Sequence, residues 1–194
     1  MMSMLLDKVF IQKLSALLEK SLFEVTSNYG ISVTHKDPYT QEDFVDAVIC
    51  SIGITGPFNG NLIIILPQST ACQLVSKLVG DTYTEVSDDV LDGCRELANM
   101  VAGVLMMGLS AQSCEVNIGL PTSFKGHAMH VRHNPIDKYV HQQYSSTIGD
   151  IEMIMVGREN ASRIHEQSAG NSADAPKGAV NNLLDKMKDN PPPK

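Results

Sequence analysis

The sequence predicts a two-layer α/β or α+β domain in which a mostly antiparallel mixed sheet packs against long helices. Three observations support this fold class. Two long segments carry apolar residues at helical spacing, several shorter segments are rich in Val and Ile, and turn residues separate those shorter segments. Of the 194 residues, 43% are hydrophobic, so the chain is long and apolar enough for one domain with a sizeable core.

The first half of the chain alternates between helical and strand-like patterns. In order, the predicted elements are a helix over about 4–25, strands over 31–36, 44–56 and 58–67, and a short helix over 68–80. Gly56 and Pro57 separate the second strand from the third, so we expect these two strands to form a hairpin. The short helix is expected to begin near Ser69 or Thr70 and to end at Gly80.

The second half begins with the longest predicted helix, 88–112. Ser87 precedes this helix, and Asp88 and Asp89 lie in its first turn, where the positive end of the helix dipole favours carboxylates. Strand-like stretches follow at 114–120, at about 122–133, and at 138–156 with a turn at 145–147. The last segment, 158–194, is rich in Ser, Ala, Asn and Gly, so we expect a folded domain of 1–157 and a disordered tail.

Charge and cysteine content limit the classes of function. The net charge is −7, which argues against binding to nucleic acid or anionic membranes, because both rely on Lys and Arg. Proteins and small molecules remain open as partners. No signal peptide is expected, because polar and charged residues such as Asp7 and Lys8 interrupt the N-terminal segment and no small-residue cleavage site follows it. No membrane span is expected, because the longest strongly apolar run elsewhere is 62–66. No two of the four cysteines form a CxxC pair, so the spacing of a zinc ribbon is missing. Cys94 and Cys114 lie in apolar stretches, where a free thiol behaves as a small hydrophobe, so we expect a reduced, cytosolic protein.

The longest predicted helix contains a polar stripe. Asn99 lies inside it although Asn is a poor helix-interior residue. At ~100° per residue, Asp92, Glu96, Asn99 and Gly103 fall on one narrow stripe. The apolar residues cluster on the opposite side, and they are Val90, Cys94, Leu97, Ala98, Val101, Leu105 and Leu109. We therefore expect Asn99 to be exposed beside Glu96.

Two further features set this stripe apart. Gly103 leaves bare backbone next to Asn99, although Gly costs about 1 kcal/mol in a helix interior. Flexible methionines flank the stripe, with Met100 and Met107 on one side and Met106 on the other. These features suit a docking surface. An ordinary exposed helix face remains the alternative, since E-x-x-N spacing is common by chance.

The segment "DGCRELANMVAGVL" resembles the D/S-x3-E-x2-N motif of the CheC/CheX/FliY chemotaxis phosphatases, with Asp92, Glu96 and Asn99 in the three motif positions. The order of predicted elements around it is also similar to that family, and the resemblance covers about 1–157. It implies a CheC/CheX-like fold. Members with two motifs carry a second one on the first helix, where this chain has Ser15, Glu19 and Leu22 and therefore lacks the Asn. A single motif is similar to CheX.

The resemblance implies that the protein dephosphorylates the phosphoaspartate of the response regulator CheY. Asn99 would then orient the attacking water, and Glu96 would pair with the active-site Lys of the regulator. Asp92, Met100 and Gly103 would contact this partner. The resemblance also implies a bacterial cytoplasmic homodimer with sheets joined across the interface, and no cofactor of its own because the regulator supplies Mg²⁺.

Two other classes of function stay open at this stage. The domain could be a chemotaxis or flagellar-switch interaction module that binds a response regulator without hydrolysing it. It could also be a metal hydrolase, since "GHAMHVRHN" offers His127, His130 and His133. On a strand His130 would face away from the other two, so ordinary strand histidines are the favoured interpretation and no metal site is expected.

Overall fold

The computed structural model describes residues 2–36, 44–112, 114–129 and 138–159. Its elements are α1 (Met2–Ser27), β1 (Val33–Lys36), β2 (Phe44–Thr55), β3 (Phe58–Pro67), α2 (Gln68–Val79), α3 (Asp88–Ser110), β4 (Asn117–Ile118), β5 (Thr122–Met129), β6 (Lys138–Ser146) and β7 (Gly149–Glu159). The predicted combination of long helices with a hairpin-rich sheet is confirmed.

The seven strands of the described residues form one sheet. Their order is β1-β6-β7-β3-β2-β4, and β5 also pairs with β2. Every strand pair in the described part of the chain is antiparallel, so no parallel pair of the predicted mixed sheet occurs there. The predicted β2–β3 hairpin is confirmed, with Ile54 opposite Gly60. Gly56, at φ 150°, occupies its turn in a conformation that glycine adopts most readily.

The main core lies between the helices and one face of the sheet. Alternate residues of the central strands point into it, among them Ile52, Leu62 and Met153. Leu18 of α1 and Leu97 of α3 are fully buried in the same core. A smaller apolar cluster occupies the opposite face of the sheet and includes Ala47, Ile49, Ile65 and Ile154.

Several predicted boundaries need correction. The stretch 114–120 forms only the two-residue strand β4, because β5 occupies the rest of that edge of β2. The long helix ends at Ser110 rather than at 112. Strand β7 continues through Arg158 and Glu159, which lie opposite Asn59 and Phe58 of β3, so these two residues belong to the sheet rather than to the predicted tail.

The ends of α2 agree only in part with the sequence prediction. Its N-cap is Pro67, without a side-chain hydrogen bond, so the predicted cap at Ser69 or Thr70 is wrong. Thr70 is instead buried. Gly80 ends the helix as predicted, in the left-handed conformation at φ 81°, and its N–H donates to the carbonyl of Ser76.

Two further predictions concern the C-terminal tail and membrane-spanning segments. The part of the predicted tail from 160 onward lies outside the described residues. Among the helices that the structure describes, none is long and apolar enough to cross a membrane.

Removal of a buried side chain from α3 should destabilise the protein. Leu97 is fully buried, so Leu97→Ala should lower the free energy of unfolding by about 2–5 kcal/mol through lost burial and a residual cavity. Urea denaturation followed by circular dichroism measures the change. Leu120 is 90% exposed, and the same substitution there should change stability by no more than about 0.5 kcal/mol. Equal effects at the two positions would contradict the assigned packing.

Candidate functional site

The start of α3 is well defined, and it sets the rotation of the residues that follow. Ser87 has extended backbone dihedrals, and its side-chain Oγ accepts a hydrogen bond from the backbone N–H of Val90 at 3.4 Å. Asp88 and Asp89 occupy the first turn, as the sequence predicted. The N-cap and the two acidic residues of the first turn therefore stabilise the start of α3 at this position.

The structure places the polar stripe on the solvent side of α3. Asp92, Glu96 and Asn99 are exposed and Gly103 is half-buried. The predicted apolar face is confirmed as the buried one, with Ala102 added to it. Because Glu96 and Asn99 lie three residues apart on one face, their side chains project together from a rigid helix.

Contacts of the stripe residues differ from one to the next. Arg95 Nη2 forms an ion pair with Asp92 Oδ1 on the exposed surface. Within the part of the chain that the structure describes, neither Glu96 nor Asn99 forms a side-chain hydrogen bond or ion pair. A carboxylate and an amide that face solvent without an internal partner are free to bind another molecule.

The three glycines of α3 have different surroundings. A Cβ added at Gly93 would lie 2.7 Å from both Cγ atoms of Val75, and one added at Gly108 would lie 2.8 Å from Leu17 Cδ2. Close helix packing therefore accounts for these two glycines. At Gly103 an added Cβ would meet nothing within 4 Å. Among the residues that the structure describes, no packing contact therefore requires glycine at this position.

Methionines border the stripe as predicted. Met100 is half-buried, and the hydroxyl of Tyr29 donates a hydrogen bond to its Sδ at 3.6 Å. Met107 is 59% exposed. Met106, on the other border, is half-buried. Tyr29 lies in the turn that follows α1, and no local sequence pattern identified it as a neighbour of the stripe.

The buried side of α3 is apolar and uncharged. Cys94 faces the core, where a hydrogen bond with Cys50 and burial both raise the pKa of its thiol, so the thiol stays neutral. Cys72 and Cys114 are also buried, and all four cysteines are free. The charges of α3 are thus confined to its first turn and its outer surface.

The first helix has no second motif, and the structure shows which of its residues correspond to the stripe. Leu22 is fully buried and Ser15 Oγ accepts a hydrogen bond from Gln142 Nε2 at 2.7 Å, so the compared positions face inward. The exposed stripe of α1 lies one residue later. It has the same spacing as the α3 stripe and consists of Ala16, Lys20, Phe23 and Ser27.

The histidine-rich segment is only partly described. His127 Nδ1 lies 3.0 Å from Asp46 Oδ1 in an exposed pair. His130 and His133 lie outside the described residues. Among the residues that the structure describes, no group of three or more His, Cys, Asp or Glu side chains is arranged to hold a metal ion.

Comparison with known proteins relates this site to one family. Residues 48–145, about half of the chain and including Glu96 and Asn99, match the family described as chemotaxis phosphatase CheX. The CheY-P phosphatase CheX of Thermotoga maritima is 33% identical over 87 residues, which are 44% of this chain and 56% of that protein. The match thus spans little more than half the length of this curated relative.

Solved structures share the fold at lower sequence identity. The chemotaxis protein CheX of Desulfovibrio desulfuricans has a TM-score of 0.66 and 20% identity, over 75% of this chain and 99% of that one. The CheX chain in the CheX–CheY–BeF3–Mg²⁺ complex of Borrelia burgdorferi has a TM-score of 0.52 and 18% identity, over 73% of this chain and 97% of that one.

Fold and site together define a domain of the CheC/CheX-like fold, with the exposed pair of Glu96 and Asn99 on its second long helix. By the match over 48–145, the chain belongs to the chemotaxis phosphatase CheX family.

Alanine substitutions at Gly103 and Gly93 should change the free energy of unfolding in opposite directions. Because an added Cβ meets nothing within 4 Å, Gly103→Ala should raise the free energy of unfolding by about 0.5–1 kcal/mol. Gly93→Ala should lower it, since its Cβ would crowd Val75. Chemical denaturation of the two variants tests this contrast, and a loss of stability at Gly103 would show that the site is packed.

Proposed function

We propose that this protein hydrolyses the phosphoaspartate of a CheY-type response regulator and so ends the signal to the flagellar motor. The observation that carries this proposal is the Glu96–Asn99 pair, exposed on a rigid helix and without a side-chain partner among the described residues. The pair lies inside the stretch that matches the family. It provides the two functional groups that the reaction requires beyond those of the regulator itself.

The comparisons support the choice of substrate. The relative from Thermotoga maritima is named a CheY-P phosphatase. A structural neighbour, from Borrelia burgdorferi, is a CheX in complex with CheY, BeF3 and Mg²⁺. We extend the same activity and the same type of partner to this chain.

Asn99 is the residue we assign to the attacking water. Hydrolysis of a phosphoaspartate requires water in line with the departing carboxylate, and positioning that water accounts for much of the available acceleration. A carboxamide can accept a hydrogen bond from the water and donate another. Because it is neutral, it does not repel the anionic phosphoryl group as a carboxylate would.

Glu96 is the residue we assign to recognition at the active site of the regulator. Its side chain lies one helical turn from Asn99, so both can enter the same cleft. We propose that its carboxylate pairs with the Lys of that site and sets the register of the amide. A charge-assisted hydrogen bond of this kind fixes geometry as well as adding affinity.

The rest of the docking surface follows from the same face of α3. Asp92 lies one turn before Glu96, and we assign it to the docking surface for the partner. Met100, held by Tyr29, offers a polarisable apolar contact. The open backbone at Gly103 allows the partner to approach the helix closely, which explains a glycine that packing does not require.

Further parts of the proposal concern the assembly. We propose that the Mg²⁺ of the reaction belongs to the regulator and that this chain contributes no cofactor. We also propose that the protein works as a homodimer in the bacterial cytoplasm. The single motif on α3 supports one docking site on each chain.

The decay of a phosphorylated CheY-type regulator tests the activity. The wild-type protein should accelerate phosphate release, Asn99→Ala should reduce that acceleration by about 100-fold or more because the water loses its position, and Glu96→Ala should reduce it strongly. Release of radiolabelled phosphate from the regulator measures each rate. Asn117→Ala and Glu115→Ala remove the same side chains from exposed positions outside α3, and both should leave the rate unchanged.

Two outcomes would contradict the proposal. Unchanged decay in the presence of wild-type protein that still binds the regulator would identify a non-catalytic interaction module, which is the alternative function. Full activity of Asn99→Ala would remove the amide from the mechanism and require another residue to position the water.

A further inference from the structure

Arg95 stands out among the charged residues of α3. The helix carries the acidic residues Asp88, Asp89, Asp92 and Glu96, and Arg95 is its only basic residue. It precedes Asn99 by four residues, so their side chains are neighbours on the helix surface. The only basic residue of the helix thus lies one turn before Asn99, at the edge of the stripe.

The geometry of the ion pair restrains this cation at the rim of the stripe. Arg95 Nη2 contacts Asp92 Oδ1, and the side chains of Arg95 and Asp92 are 40% and 64% exposed. A pair so exposed contributes little to folding stability, because water solvates both charges well. Its structural effect is to limit the rotamers of the guanidinium and hold it at the Asp92 end of the stripe.

The remaining hydrogen-bonding capacity of Arg95 suits an oxyanion. A guanidinium has five N–H donors in a planar fork that matches a carboxylate or a phosphate. The chain carries a net charge of −7, and the site itself includes Glu96, so an anionic surface would otherwise be repelled. Arg95 is the only side chain of α3 whose positive charge can attract an anionic group of the partner.

We propose that Arg95 is a specificity-determining residue that binds an oxyanion of the phosphorylated partner, and that Asp92 positions it. This inference rests on the proposed function, because the partner is the phosphorylated regulator. The oxyanion is either a phosphoryl oxygen or a carboxylate beside the phosphorylated aspartate. On this assignment Asp92 acts in docking through Arg95.

Binding of a CheY-type regulator to the full-length protein tests the role of Arg95. The regulator is used in two forms, unmodified and loaded with beryllofluoride and Mg²⁺, and Kd is measured at low and at physiological salt. Arg95→Ala should raise Kd for the loaded form about tenfold, and Arg95→Lys should restore part of the loss. Lys20→Ala removes the same charge from the exposed stripe of α1 and should leave Kd unchanged.

The two forms of the regulator separate the two sources of the oxyanion. A loss of affinity confined to the loaded form assigns Arg95 to the phosphoryl group. An equal loss for both forms assigns it to a carboxylate of the partner. No loss for either form would overturn the proposal.

A double-mutant cycle tests the positioning role of Asp92. Asp92→Asn should raise Kd severalfold in the wild-type background and have little effect when Arg95 is already Ala, because Asp92 acts through Arg95. Additive effects would overturn this part. The wild-type phosphatase assay is scored separately, so an active protein with an inert Arg95 contradicts only this inference.

Discussion

Burial of the apolar face of α3 against the sheet and the other helices is the constraint on which the site depends. Residues such as Leu97, Val101 and Leu105 are almost fully excluded from solvent. A rotation of the helix would expose part of this face and lose a favourable contribution of about 25 cal/mol for each Å² of apolar surface. With the rotation set in this way, the opposite residues must face outward.

This arrangement separates stability from recognition on a single helix. Packing uses one side, where Gly93 and Gly108 permit close approach by α2 and α1. The other side carries Glu96 and Asn99, which make no described side-chain contact and can be reserved for a partner. A rigid helix suits such a role because the two groups keep their separation while the partner docks.

The comparison of α1 with α3 explains why the proposed site lies on α3 and not on α1. Both helices present an exposed stripe with the same spacing, but α1 has Lys20 and Phe23 where α3 has Glu96 and Asn99. A cation and an aromatic ring provide neither the carboxylate nor the amide that the proposed reaction uses. The polar residue Ser15 of α1 faces the interior instead, where its Oγ accepts a hydrogen bond from Gln142 Nε2.

Helical and strand periodicity in the sequence determined the order of the long elements, the β2–β3 hairpin and the exposed stripe of α3, because these features depend on residues close together in the chain. Side-chain roles at the stripe stay predictions drawn from family resemblance. Tertiary structure alone decided the contact of Tyr29 with Met100, the division of the β2 edge between β4 and β5, and the hydrogen bond of Ser15 with Gln142. Those outcomes depend on residues distant in sequence that pack together, and no local pattern records which of them will meet.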